Sequence, residues 1–120
     1  MTLVTVHQYL GYAVFLLSLI VTVWSFVAAR GESPSALRGL GGSFAGLLDL
    51  QVLIGLAMWV GAFGFRIVPE TLHLITAVAA AVVAHLGARQ LRSADGMPNA
   101  RWYQLATLAL LLAAIGIASA

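Results

Sequence analysis

The sequence predicts an all-α integral membrane protein, an up-down bundle of four transmembrane helices. Of its 120 residues, 62% are hydrophobic and only 8% are charged, whereas a soluble domain carries roughly 25% charged residues. A chain with so few charges cannot cover its surface for water, so we expect its surroundings to be the lipid bilayer. It also contains four apolar stretches near the length of about 20 residues that a helix needs to cross a bilayer.

The four stretches are continuous apolar runs rather than alternating patterns. They lie at about 7–29, 43–65, 70–88 and 102–120. Because backbone polar groups in lipid must be satisfied within their own segment, such runs predict helices. The breaks between them are rich in glycine, proline and other turn formers, and they lie at 30–42, 66–69 and 89–101. We therefore expect one four-helix domain, whose first stretch is a mature span because no basic region precedes it.

Arginines indicate how the chain crosses the membrane. All six basic residues are arginine, and only Arg66 lies in the second loop. The positive-inside rule then places the first and third loops in the cytoplasm and both termini outside, as in a bacterial-type inner membrane. The arginines are not clustered among exposed aromatics, so nucleic acid is not an expected partner. Cysteine is absent, which excludes disulfides and thiolate-bound metals.

Two histidines are predicted to lie at the same depth near the outer face. His7 begins the first helix and His73 begins the third, and these helices are parallel and diagonal in an up-down bundle. Neighbouring helices lie about 8–10 Å apart, so diagonal ones lie roughly 13 Å apart. That gap suits two imidazoles with a metal macrocycle between them, which predicts a b-type haem with His7 and His73 as axial ligands. Gly11 leaves room on the His7 face, and Arg66 could pair with haem propionates.

Each feature of this pair also has a structural alternative. A histidine at a helix end can be a polar interfacial residue without a ligand. The small residues near it, including Gly11, are also what tight helix packing in membranes uses. Glu70, one turn before His73, could orient the imidazole or receive a proton. It could equally be a helix N-terminal carboxylate favoured by the helix dipole, or a partner of Arg66.

Two short motifs resemble those of a known family. The segment His7–Tyr12 (HQYLGY) resembles the His-Arg-x-x-Gly start of a ligand helix in haem A synthases, and Glu70–His73 (ETLH) is similar to their Glu-x-x-His motif. Those enzymes consist of two four-helix halves, each holding a haem between paired histidines near the outer face. The resemblance covers one half, and it implies a half-bundle haem module.

A second polar site is predicted nearer the inner face. Ionisable groups inside membrane spans are costly and are often functional. Asp49 on the second helix and His85 on the third are expected to face the bundle interior and share a hydrogen bond, with Gln51 nearby. His85 lies twelve residues beyond His73, about 18 Å along the axis, so it cannot serve the same haem. The pair could hold a proton or bind a quinone headgroup, or it could be a structural hydrogen bond.

The function that these features favour is that of a small b-type cytochrome-like subunit that passes electrons within a larger membrane complex or a homo-oligomer. The alternative is a cofactor-free accessory subunit of a respiratory or photosynthetic complex. A third possibility is a small enzyme that acts on haem or quinone. We expect an electron-transfer or accessory role rather than a stand-alone catalyst.

Overall fold

The computed structural model describes residues 2–28, 34–63, 70–93 and 97–119, except for the side chains at 62, 63, 70, 97 and 119. These residues form four long helices: α1 (Leu3–Val27), α2 (Ser35–Met58), α3 (Glu70–Arg92) and α4 (Met97–Ser119). A π-helical segment, Trp59–Phe63, continues α2. All four helices are long and apolar enough to cross a membrane, so the chain has the all-α architecture that its sequence predicts.

The helices form a ring in chain order. Each helix packs against the next one, and α4 closes the ring against α1. Among the described residues, neither α1 and α3 nor α2 and α4 bring their Cα atoms within 8 Å of each other. The pairs α1–α3 and α2–α4 are therefore diagonal, as predicted for an up-down bundle.

The interior of the bundle is built mainly from small side chains, while many large apolar ones face outward. Fully buried alanines lie along α2, α3 and α4, at positions 45, 80, 84, 88 and 100. Leu16, Val23, Leu53 and Ile115 are instead exposed. Large apolar side chains lose nothing by facing lipid tails, whereas small ones let helix backbones approach closely. This distribution is the one expected of a bundle surrounded by lipid.

A seam of hydroxyl and amide side chains joins α1 to α4 inside the bundle. Ser18, Thr22 and Ser25 follow one face of α1, and Gln104 and Thr107 face them from α4; all five are buried. The Thr22 hydroxyl donates to the backbone carbonyl of Gln104 at 3.2 Å. Interhelical hydrogen bonds of this kind hold membrane helices together where hydrophobic burial gives no advantage.

All four helices begin or end outside the predicted spans. α1 begins at Leu3, where the Thr2 hydroxyl accepts a hydrogen bond from the Thr5 backbone N–H at 3.1 Å. α2 begins at Ser35 rather than near residue 43, so glycines that predicted a loop lie inside a helix. Gly41 is one of them, and it permits a close helix contact, because a Cβ there would lie 2.6 Å from the Leu91 Cδ1 atom.

The connections between helices are correspondingly short. α3 continues to Arg92 and α4 begins at Met97, so the predicted loop at 89–101 is mostly helical. Pro98 lies in the first turn of α4, where its missing N–H costs nothing. The predicted connection at 66–69, and the predicted end of the second span at 64–65, lie outside the described residues.

The arginine-rich end of the bundle carries an aromatic cluster. The rings of Phe26 and Trp102 meet edge to face, with centroids 5.4 Å apart. The Arg101 guanidinium lies 5.7 Å from the Phe26 centroid and 5.2 Å from the Trp102 centroid. Aromatic and cationic side chains together are typical of a membrane interface, so this end suits the boundary of the bilayer.

The close packing of α3 on α4 should make Gly87 intolerant of a large side chain. A Cβ at this buried position would lie 2.8 Å from the Gln104 Nε2 atom and 3.2 Å from the Tyr103 Cβ atom. Gly87→Leu should therefore destabilise the bundle by about 1–3 kcal/mol, the usual cost of overpacking. Gly46→Leu is the matched control, because this glycine is exposed and a Cβ there would meet nothing within 4 Å. Thermal unfolding in detergent should separate the two variants; equal midpoints would contradict this packing.

Candidate functional site

The rings of His7 and His73 meet across the bundle. His7 lies in the second turn of α1 and His73 in the first turn of α3, on diagonal helices. The centroids of the two imidazoles are 6.2 Å apart and their planes are inclined at 80°. Side chains from two helices whose backbones are not in contact thus reach the same point between them.

The His73 ring is held in one tautomer by α4. Its Nδ1 atom lies 2.7 Å from the backbone carbonyl oxygen of Ala114. Because a carbonyl can only accept, Nδ1 carries a proton, and in the neutral ring Nε2 then keeps an unprotonated lone pair. Histidines that bind metals commonly donate their other nitrogen to a carbonyl in this way, which fixes the ring and makes the ligand atom more basic.

The His7 ring lies against α2 with one nitrogen unpaired. A Cβ at Gly55 would lie 3.2 Å from the His7 Cε1 atom, so any side chain at position 55 would displace the ring. The Nδ1 atom of His7 is buried and has no hydrogen-bond partner among the described residues. A buried polar atom without a partner costs about 1–3 kcal/mol. A bound ligand that contacts this nitrogen would remove that cost.

Gln51 belongs to the His7 site. Its Nε2 atom donates to the backbone carbonyl of His7 at 2.8 Å. Gly11 makes room for this contact, since a Cβ there would lie 3.0 Å from the same Nε2 atom. The prediction that grouped Gln51 with Asp49 is corrected by this contact, because side chains two residues apart on a helix point about 160° away from each other.

The distance between the histidine rings fits one metal ion held by both. A metal–imidazole nitrogen bond is about 2.0 Å long, which places the centroids of two rings in line on one ion roughly 6 Å apart. The 80° inclination is compatible with this arrangement, because each ring can turn about its metal bond. In the described parts of the chain, no group of three or more His, Cys, Asp or Glu side chains could hold a bare metal ion. A haem, by contrast, needs only two ligands from protein.

Comparison of the chain with known proteins found no relative. No family model, curated protein or solved structure matches the chain. The haem A synthase resemblance of the two short motifs therefore stays a prediction from the sequence.

Two of the predicted site residues cannot be placed, and two unpredicted positions contribute. Arg66 lies outside the described residues, as does the side chain of Glu70. Gly55 is not among the predicted site residues, although a glycine at the depth of His7 on the adjacent antiparallel helix is a signal that the sequence contains. Ala114 contributes only its backbone carbonyl, which leaves no signal in the sequence.

Asp49 and His85 form the predicted contact. The His85 Nε2 atom lies 2.6 Å from the Asp49 Oδ2 atom. The prediction that both side chains face the bundle interior was wrong. The Asp49 side chain is 44% exposed and the His85 side chain is 56% exposed, on the outside of the bundle. The preceding residues explain this orientation, since the almost completely buried Leu48 and Ala84 occupy the inward faces of the same two helices.

A groove between α2 and α3 surrounds the Asp49–His85 pair. It has a volume of about 430 Å³, and the pair shares it with the apolar residues Val52, Leu53, Val78, Ala81 and Val82. An aspartate at the centre of a membrane helix costs roughly 2.5–3.5 kcal/mol on insertion scales. The hydrogen bond to His85 offsets part of that cost. About half of each side chain nevertheless stays exposed on the outer surface of the bundle.

The contact between Asp49 and His85 should be measurable as a coupling energy. In a double-mutant cycle with Asp49→Asn and His85→Gln, unfolding free energies in detergent should deviate from additivity by about 0.5–3 kcal/mol. A control cycle with Asp49→Asn and Thr76→Val should be additive, because the Thr76 hydroxyl bonds to the Leu72 carbonyl of its own helix. Additive effects in the first cycle would show that the pair does not interact.

Proposed function

We propose that this chain is a small membrane cytochrome that holds one b-type haem between His7 and His73 and passes electrons within a larger membrane assembly. The observation that carries the proposal is the 6.2 Å distance between the two imidazole centroids, combined with the hydrogen bond that fixes the His73 tautomer. The two imidazoles lie at about the distance that one shared metal ion requires. The short motifs that contain them resemble the haem-binding half of a haem A synthase.

The chain's own residues would hold the haem and tune its surroundings. A bound haem supplies one-electron transfer between ferric and ferrous iron, and the protein sets its potential through the axial ligands and burial. Ala114 orients His73 through its carbonyl, and the absence of a side chain at Gly55 leaves room for the Cε1 edge of the His7 ring beside α2. Gln51 ties the backbone of His7 to α2, so the ligand-bearing turn of α1 is anchored. These contacts pre-arrange both ligands before any cofactor binds.

We further propose a bacterial-type inner membrane as the location, with both termini outside. Five of the six arginines lie in the first and third connections or in the helix ends beside them, at positions 30, 38, 89, 92 and 101. The positive-inside rule assigns that end of the bundle to the cytoplasm. The histidine pair then lies at the extracytoplasmic end. The electron donor and acceptor would be other subunits of a larger complex, or copies of the same chain.

A visible spectrum of the purified protein tests the haem proposal. The reduced wild-type protein should show the sharp bands of a low-spin haem with two histidine ligands, and pyridine extraction should identify haem b. His7→Ala and His73→Ala should each abolish or convert that spectrum, because each removes one axial ligand. His85→Ala is the control and should keep it. A protein that stays colourless after haem is supplied would support the cofactor-free accessory subunit instead, and loss of haem only in His85→Ala would refute the ligand pair.

The orientation is tested separately with topology reporters. Alkaline phosphatase fused after Ala120 should be active, since this enzyme folds only outside the cytoplasm, and a fluorescent protein active only in the cytoplasm should stay dark at that position. The same two reporters inserted at Ser93, between α3 and α4, should give the reverse result. Cytoplasmic activity of the Ala120 fusion would overturn the assignment, whatever the haem content.

A further inference from the structure

The Asp49–His85 groove joins an acid–base pair to an apolar, outward-facing surface. The carboxylate and the imidazole are hydrogen-bonded at 2.6 Å, yet both stay about half exposed. Valine, leucine and alanine side chains make up the rest of the groove wall. Among the described residues, no polar side chain other than this pair lines it. A ligand that fills the groove must therefore combine an apolar body with one hydrogen-bonding group.

The depth of the pair determines where such a ligand comes from. Asp49 lies fourteen residues before Phe63 at one end of the bundle, and His85 lies seven residues before Arg92 at the other. At 1.5 Å per residue these separations are about 21 Å and about 10 Å. Both distances place the groove within the hydrocarbon depth of a bilayer about 30 Å thick. Its ligand consequently arrives through the lipid and not from water.

The hydrogen bond determines what the second imidazole nitrogen can do. An ionised carboxylate only accepts, so the His85 Nε2 atom is the donor to Asp49 and Nδ1 is the remaining nitrogen. In the neutral ring Nδ1 accepts a hydrogen bond from a hydroxyl. In the protonated ring Nδ1 donates to a carbonyl. One site can thus bind both the hydroxyl and the carbonyl form of the same molecule.

We infer that this groove binds the headgroup of a membrane quinone, with His85 Nδ1 as hydrogen-bond partner of its carbonyl or hydroxyl oxygen. The volume of about 430 Å³ lies within the range of about 300–1,000 Å³ that small-molecule sites have. A phospholipid headgroup fits less well, because no lysine or arginine in the described part of the chain lines the groove to bind its phosphate. A fatty-acid carboxylate would meet the like charge of Asp49.

The groove lies close to the proposed haem. Gly55, which lies beside the His7 ring, is six positions after Asp49 on α2, and His85 is twelve positions after His73 on α3. These intervals correspond to about 9 Å and about 18 Å along the two helices. A role for the quinone as electron partner of the haem rests on the proposed function, whereas binding of the headgroup does not.

Photolabelling with a short-chain azido-benzoquinone tests the inference. The full chain in phosphatidylcholine nanodiscs is illuminated with the probe, and the labelled residues are mapped by mass spectrometry. Label should concentrate on the groove segments of α2 and α3, and excess decylubiquinone should remove it. Asp49→Asn and His85→Gln should each reduce the specific label about tenfold, the loss expected for about 1.4 kcal/mol of binding energy.

A matched pair of variants separates groove filling from general effects. Val82→Phe adds bulk at a groove residue that is 56% exposed, and Val23→Phe makes the same change on α1 at a residue that is 61% exposed. Val82→Phe should abolish specific labelling, and Val23→Phe should retain it. Both positions face outward, so neither change disturbs the core, and thermal unfolding checks that both variants are folded.

The outcomes for the quinone and the haem can be told apart. His7→Ala should lose the haem spectrum but keep the label, because the groove does not depend on that ligand. Localised label on a protein that never binds haem would refute the proposed function and leave the quinone site standing. Label spread evenly over the exposed residues of all four helices would overturn the quinone site, even in a haem-loaded protein. A shift from dimer to monomer in Val82→Phe, without specific label in the wild type, would also overturn it by showing that this face binds a second copy.

Discussion

Close packing of small side chains determines the geometry of the whole bundle. Alanine and glycine along the inward faces, among them Gly41, Ala84 and Gly87, let the helix backbones approach one another. In a lipid bilayer, burying a large apolar side chain gains no hydrophobic free energy, so close contact between backbones would supply much of the stability. The narrow bundle that results brings the rings of His7 and His73 within 6.2 Å of each other although their helices are not in contact.

The histidine pair connects all four helices. His7 comes from α1 and is flanked by Gly55 and Gln51 of α2, while His73 comes from α3 and donates to Ala114 of α4. Each histidine is therefore held by contacts with a neighbouring helix. A change in the packing of any helix would alter the distance between the two rings, so the fold and the candidate site cannot be separated.

The sequence predicts the helices well because lipid requires long apolar runs, and it predicts the depth of His7 and His73 because depth follows from topology. It fails for features that depend on the rotation of a helix about its own axis. The contact between Asp49 and His85 could be predicted from their depth, but their outward direction is set by the burial of Leu48 and Ala84 beside them. The prediction also placed the start of α2 too late. Glycine is common both in loops and at close helix contacts, and the sequence does not tell which of the two Gly41 occupies.

The order of the helices along the chain has a consequence for how the protein is made. Because α2 is synthesised before α3, α2 alone in a bilayer would carry the Asp49 carboxyl group without its partner, at a cost of roughly 2.5–3.5 kcal/mol on insertion scales. The hydrogen-bond partner is on the very next helix. If the helices cross a bilayer, as their length and composition allow, α2 and α3 would therefore enter it more favourably as a pair than α2 would alone.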